Sequence, residues 1–297
     1  MSKSSVRQSV RMAIPLLMLP MLAHASVAPN TLPANGSVVS GTATPSVSGS
    51  TLTLAVGSGA TIIDWGTSGA IDPVSGAGGF DVGSQASVVL TGAGGGTPSS
   101  VLNIDTSGQP SQIDGKILGD NVNVFVANAN GVFLGSGAVV SAPTVALLAN
   151  GVSTAEALFS GGAFSASGMA TGALNLASGA QIHANNVILA GNDAVNLGNA
   201  IQADTIDLYG EANITGSLNA NTVSVSGGFY STGTITANQL NVNLTGYVND
   251  VKTGQILANN FTLDAGSTGT MNIRLTADGK QAQGFNVFIN GNGSIDS

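Results

Sequence analysis

The pattern apolar-x-Ala-x-x-apolar-x-apolar recurs through the second half of this chain and sharply restricts the folds open to it. It is found at Val140-x-Ala142, Ile182-x-Ala184, Ile201-x-Ala203, Leu218-x-Ala220, Ile235-x-Ala237 and Ile256-x-Ala258. The leading apolar residues are 42, 19, 17, 17 and 21 residues apart, and the first interval is about two of the others. A fixed period near 20 is the mark of a solenoid. Each unit ends in strict alternation, as in Ile206-Asp-Leu208 and Leu240-Asn-Val242, which is the period of a strand with one buried face. The alanine fits a corner where backbones stack about 4.8 Å apart. The polar pair after it is often Asn, a residue that tolerates left-handed backbone and suits such corners. No 3.6 or heptad period is present, so helices are not expected. The fold expected is all-β, a right-handed parallel β-helix with an N-terminal cap over residues 31–56. At about 19 residues per coil, it would have roughly 14 coils and a length near 65 Å.

Composition agrees with stacked short strands and tight turns. Only 7% of residues are charged and 4% aromatic, while 42 are Gly. The hydrophobic fraction of 43% separates the chain from disordered sequences, which cannot bury enough apolar surface. There is no Cys, so disulfides and thiolate metal sites are excluded.

The N-terminus reads as a secretory signal over residues 1–25. Lys3, Arg7 and Arg11 precede an apolar run at 12–23, and Ala23-His24-Ala25 supplies a small-x-small cleavage site. The run is interrupted by Pro15 and Pro20 and falls short of the roughly 20 residues a bilayer span needs. No second such run follows, so the mature chain is not expected to span a membrane. Cleavage would leave four basic residues, Lys116, Lys252, Arg274 and Lys280, against fifteen acids. That balance argues against nucleic-acid binding, which wants a basic patch.

The first half carries a family resemblance. The segments 35–44, 49–53 and 60–65 open it, and Phe80-Asp-Val-Gly83 continues it. Residues 101–117 follow, with Asn103, Pro110, Ser111, Gln112 and Gly115. Then comes Val124-Phe-Val-Ala-Asn128-Ala-Asn130-Gly131. Taken in order, these resemble the N-terminal secretion domain of the filamentous haemagglutinin family. Ala129 stands where that family has Pro, and 72–79 looks like an inserted loop. The resemblance implies a secretion domain over residues 26–152, followed by continuing β-helix repeats over 153–297. It further implies a bacterial two-partner secretion passenger, recognised by a cognate outer-membrane transporter and ending secreted or at the cell surface. Asn103, Pro110, Ser111, Gln112, Gly115, Asn128, Asn130 and Gly131 are the secretion-motif residues it singles out.

No catalytic constellation stands out, and neither an enzyme nor a cofactor is expected. His183 is the one His after the predicted cleavage site and reads as an exposed strand residue without metal partners. Asp204, Asp207 and Glu211 form the densest acidic cluster, the surface that a polysaccharide-active alternative would use. Gly78-Gly79-Phe80-Asp81 is a fragment of a calcium-binding repeat with the wrong spacing. Trp65 could stack on a sugar, but its position beside Ile62 and Ile63 favours packing under the cap. The function expected is that of an adhesin or surface structural protein, with a host or bacterial surface glycan or protein as ligand. A self-assembling extracellular matrix protein is the other alternative, because uncharged stacked strands can pair at their ends.

Overall fold

The structure is a computed structural model. It describes residues 27–243 except 67, 74–77, 95, 161–171 and 192–193, together with the backbone of Gln255–Arg274 and Asn286–Asp296. The predicted signal, residues 1–25, lies outside the described residues.

The chain winds into a right-handed parallel β-helix with three walls. In the first wall one inward column runs from Leu52 through Val88, Ile117, Val140, Ile182, Ile201 and Leu218 to Ile235, and the backbone of Ile256 continues the ladder. The second wall carries Val101, Val124, Val145, Val187, Ile206, Val223 and Leu240 in register, and all seven are fully buried. The third wall is a six-stranded parallel sheet that starts at Ser111–Ile113 and ends at Phe229–Ser231. Inward side chains of all three walls form one continuous core. Each fully buried aliphatic side chain contributes roughly 1.5–3 kcal/mol. No coil can close that core alone, so stability accrues between neighbouring coils.

The repeat falls into register residue for residue: Ile201 pairs with Leu218, Leu218 with Ile235 and Ile235 with Ile256. In these coils the first and second walls run on as single ten-residue strands, Ala200–Tyr209, Ser217–Ser226 and Thr234–Asn243. The corner asparagines behave otherwise than expected. Among the described residues only Asn35 and Asn121 are non-Gly residues with positive φ, and neither is in a repeat corner. The corner residues ladder between coils instead, with Asn238 donating to Asn221.

Two further expectations are corrected. The 42-residue interval is one coil, not two, because Val140 pairs directly with Ile182. The extra length leaves the wall after Ala149 and includes a helix, Val152–Phe159, that the absence of a helical period had argued against. The first-wall ladder then holds nine residues, and at the strand spacing its length is about 40 Å rather than 65 Å.

That helix exists because of what it covers. Eight residues are too few to be helical alone in water, and its N-cap, Gly151, makes no side-chain cap bond. Ala155 is buried, and Leu158 and Phe159 pack against Leu102, Ile104, Phe125, Ala127, Ala146 and Leu148 on the outside of the second wall. The strands beneath are therefore buried on both faces over much of their length. Phe159 meets Phe125 edge to face, with centroids 5.1 Å apart. Phe159→Ala is expected to loosen the helix by about 2 kcal/mol. An apolar dye should then bind the uncovered strip while far-ultraviolet circular dichroism keeps its strand signal.

The N-terminal end is capped by antiparallel pairing. Ala43–Ser48 forms a hairpin with Thr51–Val56, and Gly36–Ser40 lies antiparallel on Ala60–Trp65 with a bulge between Val38 and Ser40. Thr51–Val56 itself pairs in parallel with Ser87–Thr91, so it is the first rung of the helix rather than part of the cap. Residues 31–34 reach the third wall, where the Gly83 amide donates to the Thr31 carbonyl and Ala34 bridges Gly79. At the other end Asn286–Asp296 pairs in parallel with Gln255–Arg274.

Candidate functional site

The motif residues gather where the second wall turns into the third, near the capped end. Trp65, Asp105 and Asn128 occupy the same position in three successive coils, each the last residue of its strand. Trp65 is fully buried and packs edge to face on Phe80 at 5.5 Å, so it serves packing rather than sugar stacking. Asn103, two residues before Asp105, points into the core with no exposed surface. Its Oδ1 accepts from Trp65 Nε1 at 3.1 Å and its Nδ2 donates to the Phe125 carbonyl at 3.2 Å. A buried amide is tolerable only when both its ends are satisfied in this way.

Asp105 is the centre of the corner and is 4% exposed. Its Oδ2 accepts from the Phe80 amide at 2.8 Å and from Ser111 Oγ at 2.7 Å. Its Oδ1 accepts from the Ser107 amide at 2.9 Å, which folds the following turn back on itself. Asn128 sits one coil on. Its Nδ2 donates to Ser111 Oγ at 3.0 Å and to the Gln109 carbonyl at 2.7 Å. Its Oδ1 accepts from the Asn130 amide at 2.8 Å, and its backbone carbonyl accepts from the Gly131 amide at 3.1 Å. With Gly131 at φ 122°, this turn is closed by hydrogen bonds, and Ala129 needs no proline ring to hold it.

The remaining motif residues flank this knot. Pro110 is half-buried and leads into Ser111, and the exposed Asn130 lies on the next turn. The Gln112 amide donates to Asp81 Oδ1 at 2.7 Å, and its Nε2 donates to Asp114 Oδ1 at 2.8 Å. Gly115 is packed against the carbonyl oxygens of Gly83 and Ala86, where a side chain would collide. Burial pushes the Asp81 carboxyl up to about 6, with the charges of Asp105 and Asp114 adding to the rise and the Gln112 amide opposing it. The structure thus joins Ser111, Asn128, Asn130 and Gly131 into one network, ties Gln112 to a second, and places Asn103 on Trp65. Asp105 and Asp81 are the residues the sequence reading did not single out. A signal for Asp105 was present: residues 101–105 and 124–128 are both mostly apolar segments that end in a polar acceptor, and they pair in register.

Chemically, the corner pins turns and offers no open carboxylate pair. The acidic cluster of the later coils is spread over a surface. Asp204 and Glu211 are exposed. Asp207 is half-buried, with its pKa raised by burial against a hydrogen bond from Ser224. His183 is exposed, with Nε2 3.3 Å from Gln181 Oε1. Among the described residues no group of three or more His, Cys, Asp or Glu could hold a metal ion. Nor is any described helix long and apolar enough to cross a membrane.

No family model matches the sequence, and no curated protein sequence matches it. Among solved structures it is similar to the crystal structure of the HMW1 secretion domain from Haemophilus influenzae, with a TM-score of 0.57 and 17% identity. The match covers 89% of this chain and 82% of that one. At that identity the likeness is one of fold, the parallel β-helix.

Proposed function

We propose that this chain is the exported passenger of a two-partner secretion system, a secreted or cell-surface protein recognised by a cognate outer-membrane transporter. The observation that carries the proposal is the fold likeness to a secretion domain over 89% of the chain. The motif residues strengthen it, because the buried Ser111 and Asn128 and the backbone amide of Asn130 meet in one corner of the first coils. A Cys-free chain also has no disulfide to lock it before it crosses a pore. A solenoid can fold coil by coil as it emerges.

Within this reading the protein is non-enzymatic, an adhesin or surface structural rod. Uncharged exposed columns on the later coils support that role. Asn219, Asn221, Ser226 and Asn238 all lie open to solvent, and such a surface can hydrogen-bond a glycan or a protein without a charged partner. The test is immunoblotting of medium, cell surface and periplasm with and without the neighbouring transporter gene. Export that disappears with the transporter, leaving periplasmic protein, is expected. Unchanged export in the deletion strain would remove the two-partner assignment.

A further inference from the structure

The third wall begins with an unusual concentration of negative charge. Three carboxylates, Asp81, Asp105 and Asp114, converge on the short strand Ser111–Ile113. Asp81 belongs to the segment 80–82, which forms the top rung of this wall. Val82 bridges Ile113 in parallel, its amide donates to the Gln112 carbonyl at 2.9 Å, and its own carbonyl accepts from the Asp114 and Gly115 amides. When the rung docks, Asp81 is drawn out of water beside two like charges. The charged groups that act on Asp81 are Asp105 and Asp114, both acidic, and the one compensating contact is the Gln112 amide.

We propose that docking of segment 80–82 onto Ser111–Ile113 is proton-linked, so that the capped end of the rod closes more firmly in mild acid than at neutral pH. The sign follows from linkage. A carboxyl raised in the folded state contributes its full share of stability when protonated, and that share is lost as pH rises through the folded value. The relevant window lies between the ordinary value of 3.8 and the raised value of about 6, extending about one unit above. Between pH 7.5 and pH 5, the closed rung gains about tenfold over the open one if Asp81 titrates at about 6 when closed and 3.8 when open. The inference holds whether or not the chain is exported by a partner transporter, since it concerns only how the first coil closes.

Amide hydrogen exchange on the whole purified chain tests it, with rates corrected for their intrinsic pH dependence. Protection of the Phe80 and Val82 amides should be about tenfold higher at pH 5 than at pH 7.5, while amides of the Ser217–Ser226 strand stay unchanged. Asp81→Asn keeps an acceptor for the Gln112 amide but removes the charge. Its protection should match the acid value at both pH values. A pH step that persists in this variant overturns the proposal, as does a step that appears only with added calcium. Should the variant fail to fold, the side-chain carbon resonance of Asp81 in the unaltered protein decides. A midpoint near pH 6 supports the linkage, and one near pH 4 overturns it.

Discussion

Gly210→Ala is expected to break the stack in its middle, destabilising the coils around it by about 3–5 kcal/mol. Gly191, Gly210 and Gly227 follow one another in register at the corner between second and third walls. At Gly210 φ is 111°, a value that L side chains rarely adopt, and a Cβ built there would drive into the carbonyl oxygen of Gly191. Gly227 repeats the situation against the carbonyl of Gly210. Backbone strain alone accounts for roughly 1–2 kcal/mol. The rest comes from forcing apart two coils whose spacing is fixed by the parallel ladder on either side. Gly94→Ala separates the two contributions, because Gly94 also has positive φ, at 76°, with nothing within 4 Å of its would-be Cβ. Hydrogen exchange should show protection lost across residues 200–231 in Gly210→Ala and kept in the first coils, since contacts in a solenoid are nearest-neighbour. Equal losses in the two variants would mean that the coils part easily and that the corner is not tightly packed.

Much of the later half of the fold was legible in the sequence because one physical constraint repeats. An inward Ile or Leu every coil, an Ala at the corner and a two-residue alternation follow from parallel stacking, and they recur at Ile201, Leu218 and Ile235 with register intact. The glycine column was harder to see. In the repeat its members follow a different residue each time, and Ala190-Gly191 and Tyr209-Gly210 look little like Ser226-Gly227. The helix was hidden for a different reason. Its eight residues gain their stability from the outer face of Leu102, Phe125 and Leu148, and no property of residues 152–159 alone announces that face. The same face blurred the strands beneath it. Burial on both sides turns an alternating pattern into a continuous apolar run, as in Val145-Ala-Leu-Leu-Ala149. At the corner, Asn128 and Ser111 were identified through a resemblance, while Asp105, which accepts from Ser111 Oγ, lay within the same quoted segment. What joins them is distance in space across a coil, which no linear spacing encodes.

Asp105→Ala is expected to destabilise the first coils by about 3–5 kcal/mol and, on the proposed passenger reading, to abolish export with them. The carboxylate accepts three hydrogen bonds, from the Phe80 amide, the Ser107 amide and Ser111 Oγ. Removing it leaves the buried Phe80 donor without an acceptor, and an unmet buried donor costs more than the bond it once made contributed. One opposing effect is smaller. Asp105 also repels Asp81, so its loss relaxes that carboxyl, but this repulsion ranks below burial among the causes of the Asp81 shift. Asn128→Ala probes the other half of the knot, where Nδ2 holds Gln109 and Ser111 and Oδ1 holds Asn130. Because both variants act through Ser111 Oγ, their effects should fall short of adding in the double variant. The export readout separates two roles for the corner. If loss of export tracks loss of stability through Asp105→Ala, Asn128→Ala and Gly210→Ala alike, the corner matters only as part of a foldable rod. Gly210 lies several coils away, so export that fails in the two corner variants but survives in Gly210→Ala would assign recognition to the capped end.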